Sequence, residues 1–173
     1  MTKNRLVAGA VLTAAALATI LQVLPSAAHE EPIAAEEPIV VEELSPRSFF
    51  TDDVDVKVTV KEHGEHRRIV ANDKHPSRTV VARITLQPRA EFPWHSHPGP
   101  VIVNVVSGEL TYQGSEHCRP RAYPAGRAFV DAGFGHVHNA WNSSRGETVL
   151  IATFFSAPRE GSLLIPAEEH CGG

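Results

Sequence analysis

Two pairs of histidines hold the chemistry that this sequence offers. His95 and His97 stand one residue apart in "FPWHSHPGP", and His136 and His138 repeat the spacing in "AGFGHVHNAWN". Residues i and i+2 of a strand project from one face, with backbones about 6–7 Å apart. Each pair can therefore aim two imidazoles at one point, and two facing pairs would surround an ion with three or four nitrogens. Imidazole suits a divalent transition metal and fits calcium or magnesium poorly. Only neutral histidine is a ligand, so such binding is expected to weaken at low pH. A hydrogen-bonded histidine cluster without an ion uses the same residues and stays open. The other histidines offer less: "HGEH" at 63–66 lies in a charged stretch, His75 precedes Pro76, and both read as solvated turns.

The elements that must position these pairs read as β. "VDVKVTV" at 54–60 alternates with period two, as a half-buried strand does. "TVVARITL" at 79–86, "PVIVNVVSGELTY" at 100–112, "RAFVDA" at 127–132 and "ETVLIATFF" at 147–155 are further strands, rich in Val, Ile, Thr and Phe. "NDKHPS", "SG", "PAG" and "NSSRG" between them are turn chemistry. No stretch offers an apolar stripe at helical spacing. Short strands at regular spacing in one small domain predict an all-β sandwich or barrel.

Before residue 49 the texture differs. A basic start with Lys3 and Arg5, an apolar run from Val7 to Leu24 and the small residues Ser26, Ala27 and Ala28 form a secretory signal-peptide pattern. The expectation is cleavage after Ala28, export, and no stable membrane anchor, although the apolar run is nearly long enough to span. Residues 29–48 are acidic and punctuated by proline, which predicts a disordered arm. The apolar "IVV" at 39–41 is open to adding an edge strand. Residues 49–173 are then the single folded domain. Loss of Lys3 and Arg5 takes the formal net charge from −4 to −6, which argues against nucleic acid as a partner.

Cys118 and Cys171 are the two cysteines, and in an exported chain the default reading is a disulfide. Each closes an "EHC" triplet, so a zinc site of His117, Cys118, His170 and Cys171 is the alternative. His29 would become a free N-terminus, whose amine and imidazole can chelate copper.

On these motifs the chain resembles the cupins. The first cupin motif reads HxH, three or four residues, Glu, six residues, Gly; His95, His97 and Gly108 match, and Val101 stands at the glutamate position. In the second, Gly126, Gly135, His138 and Asn142 match with one inserted residue, and Gly133 stands where proline is usual. An alternative register through Gly133 and His136 puts Ala140 at the asparagine. The resemblance covers residues 75 to 157, and "WHSHPGP" with "GHVHNAWN" further resembles small secreted bacterial cupins. It implies a jelly-roll barrel holding one divalent metal (Fe, Zn, Cu, Ni, Co or Mn). It implies His95, His97 and His138 as ligands, with His136 either a fourth ligand or a catalytic proton carrier.

Val101 shares the inward parity of His97, so an isopropyl group replaces a charged ligand. Glu91 and Glu109 are candidate replacement acids at the wrong spacing. An all-neutral shell leaves the full +2 charge on the ion, which favours an anionic small-molecule ligand. Ile102 and Val106 on the opposite parity are apolar too, which suggests cover by the arm or by a second copy in a homodimer. Trp94 and Trp141 could share that surface, and Arg89, Arg119, Arg121 and Tyr123 could rim the pocket. The functional expectation is an exported metal-binding cupin acting on a small molecule by metal-assisted oxidation or Lewis-acid chemistry. A non-catalytic metal- or ligand-binding module and a barrel with a vestigial site remain the alternatives.

Overall fold

The computed structural model describes residues 37–61, 68–169 and 171. Twelve strands run in the order β1 Ile39–Glu43, β2 Asp55–Lys61, β3 Arg68–Lys74, β4 Thr79–Leu86, β5 Glu91–Ser96, β6 Val101–Ser107, β7 Glu109–Gly114, β8 Arg121–Pro124, β9 Ala128–Asp131, β10 His138–Asn142, β11 Thr148–Phe155 and β12 Ile165–Pro166. Among the described residues there is no helix. The expected signal peptide, His29 and the "HGEH" stretch lie outside the described residues.

The strands form two five-stranded antiparallel sheets, ordered β1-β4-β11-β6-β9 and β12-β5-β10-β7-β8, with β2 and β3 as a separate hairpin. From β4 to β7, and again from β8 to β11, the chain changes sheet at every connection. That alternation winds the two sheets into a jelly roll and explains why neither face of the core needs a helix. The reason each strand holds its place is periodic: in β6, Val101, Val103 and Val105 are buried while Ile102, Asn104 and Val106 are exposed. With Val80, Ala82, Ile84 and Leu86 of β4 and Leu150, Ala152 and Phe154 of β11, they form one sheet's contribution to the core. Burial of each larger side chain stabilises by about 1.5–3 kcal/mol.

Three details bear on the sequence-level expectation. The barrel begins inside the segment read as an arm: Ile39–Glu43 pairs along β4 as an edge strand, because Pro38 O and the residues after it satisfy the backbone that β4 otherwise exposes. The run at 100–112 is two strands in different sheets, broken at Gly108, whose φ of +73° suits glycine. The apolar outer face of β6 has little cover from the described residues, with Ile102 36 % and Val106 55 % exposed.

Cys118 and Cys171 form the disulfide, with Cα atoms 5.4 Å apart. Both sulfurs are thereby spent, so the His/Cys zinc alternative is not what these residues build. Closing a loop of 53 residues constrains the unfolded chain by about 4 kcal/mol on the chain-entropy account.

Candidate metal centre

His95 lies in β5 and His138 opens β10, and these neighbouring strands pair with His138 directly opposite His95. The register slips between His138 and Ala140, which face His95 and Phe92. This is a bulge in β5 at Phe92 to His95, where Pro93 is tolerated because the ladder is already interrupted. Past the bulge His95, Ser96 and His97 are all buried.

The three imidazoles gather at one end of the barrel interior. Ring centroids are 4.2 Å apart for His95 and His138, 4.9 Å for His95 and His97, and 5.2 Å for His97 and His138. Each offers one ligand nitrogen, and these lie within 4.8 Å of one another. The Nδ1–H of His95 donates to the Pro93 carbonyl at 2.6 Å, and that of His97 donates to the Leu163 carbonyl at 2.9 Å. His138 Nδ1 lies 3.4 Å from the His136 carbonyl and 3.3 Å from Asp131 Oδ2. A carbonyl oxygen only accepts, so the proton sits on Nδ1 and Nε2 keeps its lone pair. Orientation of each ring by an oxygen behind it is the arrangement that metal-bound histidines use.

Electrostatics keep the ligands neutral. Burial, reinforced by the neighbouring His138 and His97, lowers the His95 pKa to about 3. Burial lowers His138 to about 4 against the opposing pull of Asp131, and it lowers His97 as well. Three neutral nitrogens on a buried wall therefore fit a divalent transition metal by donor type, tautomer and protonation state.

Asp131 is the residue that sequence reading missed. It ends β9 and pairs directly opposite Val101 of β6, so the two side chains share the inward face. Val101 itself is 1 % exposed and lines the cavity. The acid absent from position 101 thus has a carboxylate one strand away, although it meets His138 from behind. Its Oδ1 accepts from the Gly133 amide at 2.9 Å, and Oδ2 accepts from the Tyr112 hydroxyl at 2.8 Å and His136 Nδ1–H at 3.0 Å. Burial pushes its pKa up, but the His136 hydrogen bond, and the charges that His138 and His97 gain once protonated in acid, outweigh it and hold the carboxyl well below the usual range. A lone aspartate ending the apolar run "AFV" was the available signal.

His136 stands with Asp131 and not among the three grouped imidazoles: its Nδ1 faces Asp131 and its Nε2 lies 2.9 Å from Glu116 Oε1. The two suggested replacement acids are engaged elsewhere. Glu91 accepts from Asn139 Nδ2 and Glu109 from the Ser143 hydroxyl. Asn142 is structural, its amide donating to Leu86 O, Gln87 O and Gly146 O while its oxygen accepts from Ser144 N and the Thr148 hydroxyl. Trp94, Trp141, Arg89, Arg119, Arg121 and Tyr123 do not line the histidine cavity.

The glycines flanking the site permit a close approach. A Cβ on Gly133, whose φ is +65°, would run into the Gly99 carbonyl. The loop after His97 and the loop after Asp131 therefore touch backbone to backbone, and Phe134 N–H donates to His97 O at 2.9 Å.

The two sheets form a jelly-roll barrel with a buried histidine cluster between them. Among solved structures, oxalate oxidase in complex with the substrate analogue glycolate is 25 % identical over 45 % of this chain and 41 % of its own, with a TM-score of 0.40. The cupin domain of an XRE-family transcriptional regulator from Enterobacter cloacae is 19 % identical over 68 % of this chain and 95 % of its own, at TM-score 0.43. KdgF from a Halomonas species is 15 % identical over 70 % and 83 %, at 0.45. The match spans less than half the length of the oxalate oxidase chains. No protein family and no curated protein matches the chain by sequence.

Proposed function

We propose that this chain is an exported cupin that binds one divalent transition metal through His95, His97 and His138 and acts on a small molecule in the barrel interior. The observation that carries the reading is the set of three buried imidazoles whose ligand nitrogens lie within 4.8 Å of one another, with an oxygen behind each Nδ1. Export is supported by the Cys118–Cys171 bridge, which persists in oxidising compartments.

Three protein ligands leave coordination positions for a substrate, as catalytic sites do. The metal would supply Lewis acidity or redox capacity to the substrate's head group. The chain's own residues set the scene for that chemistry. Asp131 orients His138 and places one negative charge behind an otherwise neutral shell. Tyr112 stacks on His138 with centroids 4.8 Å apart and donates to Asp131. His136 acts through the same carboxylate, as its hydrogen-bond donor. Apolar walls line the rest of the interior.

Metal analysis of the purified protein tests the reading. We expect one ion per chain, lost in the His95→Ala, His97→Ala double variant with the fold retained by circular dichroism. Protein expressed with supplemented metals that holds no ion would defeat the proposal.

A further inference from the structure

A cavity of about 360 Å³ occupies the barrel interior, the space of about a dozen water molecules at roughly 30 Å³ each. Its polar side chains sit in two places. At one end are His95, His97 and His138 with Asp131 and Tyr112; the others are Glu43, Arg47 and Ser162. Glu43 and Ser162 are exposed, as are the lining residues Val41 and Gly161, so the cavity reaches solvent there. Between the two ends the wall is hydrocarbon and aryl, including Ile84, Phe92, Val103, Leu150, Phe154 and Leu164. Ala140 on one sheet and Ala152 on the other face the same space, and their small side chains leave it open.

The polar groups at both ends already have partners within the protein. Asp131 accepts from Gly133, Tyr112 and His136. The Nδ1 positions of His95 and His97 donate to backbone carbonyls. The Arg47 guanidinium donates to Glu43, to the Pro158 carbonyl and to the Gly161 carbonyl. A ligand entering this space meets polar groups at the histidine end and at the solvent-facing mouth, and between them a wall that offers its body no hydrogen bonds. A hydroxyl carried onto that wall loses its water partners without replacement, whereas an apolar body gains burial.

We infer that the cavity takes a small molecule with one oxygen-donor head directed to the three histidines and a hydrocarbon or aryl body, and that it rejects a polyhydroxylated body of the same size. The inference rests on the metal-centre reading above, because the head group engages the ion.

The test uses a matched pair of probes on the full-length, zinc-loaded protein, with zinc content measured on the same sample. Cyclohex-1-enecarboxylate and shikimate share a ring and a carboxylate and differ by three hydroxyls. Calorimetry is expected to show cyclohexenecarboxylate binding at least about tenfold more tightly, since the hydroxyls find no partner on the wall. Ala152→Leu, which fills the cavity at a distance in sequence from the ligands, is expected to weaken that binding by about tenfold with zinc content unchanged. One zinc per chain with equal or stronger shikimate binding, or with neither probe bound, overturns the inference and leaves the metal centre standing. Absence of zinc removes the metal reading and the inference together. If Ala152→Leu fails to fold, the wild-type comparison of the two probes decides alone.

Discussion

Replacement of Asp131 probes the centre most directly, because this one carboxylate joins the barrel to the back of His138. It is 1 % exposed and accepts from the Gly133 amide, the Tyr112 hydroxyl and His136 at 2.8–3.0 Å, with His138 Nδ1 a further 3.3 Å contact. Asp131→Ala strands the Gly133, Tyr112 and His136 donors at about 1–3 kcal/mol each, so a loss of roughly 3–9 kcal/mol is expected. That is a large part of the 5–15 kcal/mol by which a typical domain is stable, so the alanine variant would be close to unfolding. Asp131→Asn is the more informative change. The amide keeps the shape but presents an NH₂ group to donors in either orientation, with an expected loss of about 1–3 kcal/mol. Without the charge and acceptor behind His138, zinc affinity should fall by about 10–100-fold. Urea denaturation of the metal-free protein measures the first quantity, and competition with a chelator measures the second. A folded Asp131→Asn protein with wild-type zinc affinity would refute the role assigned to the carboxylate. Tyr112→Phe, which leaves Asp131 its other partners, should lower affinity by less.

Other expectations follow from the same geometry. In the metal-free protein His95 and His138 have pKa values of about 3 and about 4, and His97 is lowered too. Below pH 6.5 the unfolded chain takes up protons that the native state refuses, so stability should fall as pH drops from about 6.5 to about 4, by up to about 1.4 kcal/mol per pH unit for each histidine. Asp131, whose carboxyl is depressed, adds a loss of the same sign once the unfolded carboxyl begins to protonate. A stability flat across that window in denaturant titrations would contradict the buried, neutral cluster. Val101→Glu sets a second carboxylate opposite Asp131 and should lower the melting temperature of metal-free protein, while the rise on adding zinc should exceed that of wild type. Equal rises in the two proteins would mean that residue 101 does not reach the ion. Gly133→Ala drives a Cβ into the Gly99 carbonyl at a positive φ, and the loop must shift at a cost of about 1–3 kcal/mol; an unchanged denaturation midpoint would show that the two loops do not rely on this contact.

Much of this protein was legible before any coordinates. Period-two alternation placed most of β2, because a strand with one buried face must alternate, and runs rich in Val, Ile, Thr and Phe placed β4 at 79–86 and most of β6, β9 and β11. The HxH spacing put His95 and His97 on one face for the same reason, and two cysteines in a chain with an export pattern suggested their bridge. Short or mixed strands were not legible. β5 is interrupted by Pro93, β8 has four residues and β12 two, too few for a period to show.

What the sequence determined by itself is local: which residues alternate, which turns need glycine, and which two histidine pairs could converge. The tertiary structure alone decided partners from distant segments. It set His97 against the Leu163 carbonyl, 66 residues away, and brought Asp131 opposite Val101 through the β6–β9 register. It also turned His136 towards two carboxylates while His138, two residues on, joined the cluster. The physical reason is that periodicity fixes the face a side chain takes along its own strand. The neighbour it meets across a sheet or beneath a loop depends on register and bulges, which the whole packed barrel sets.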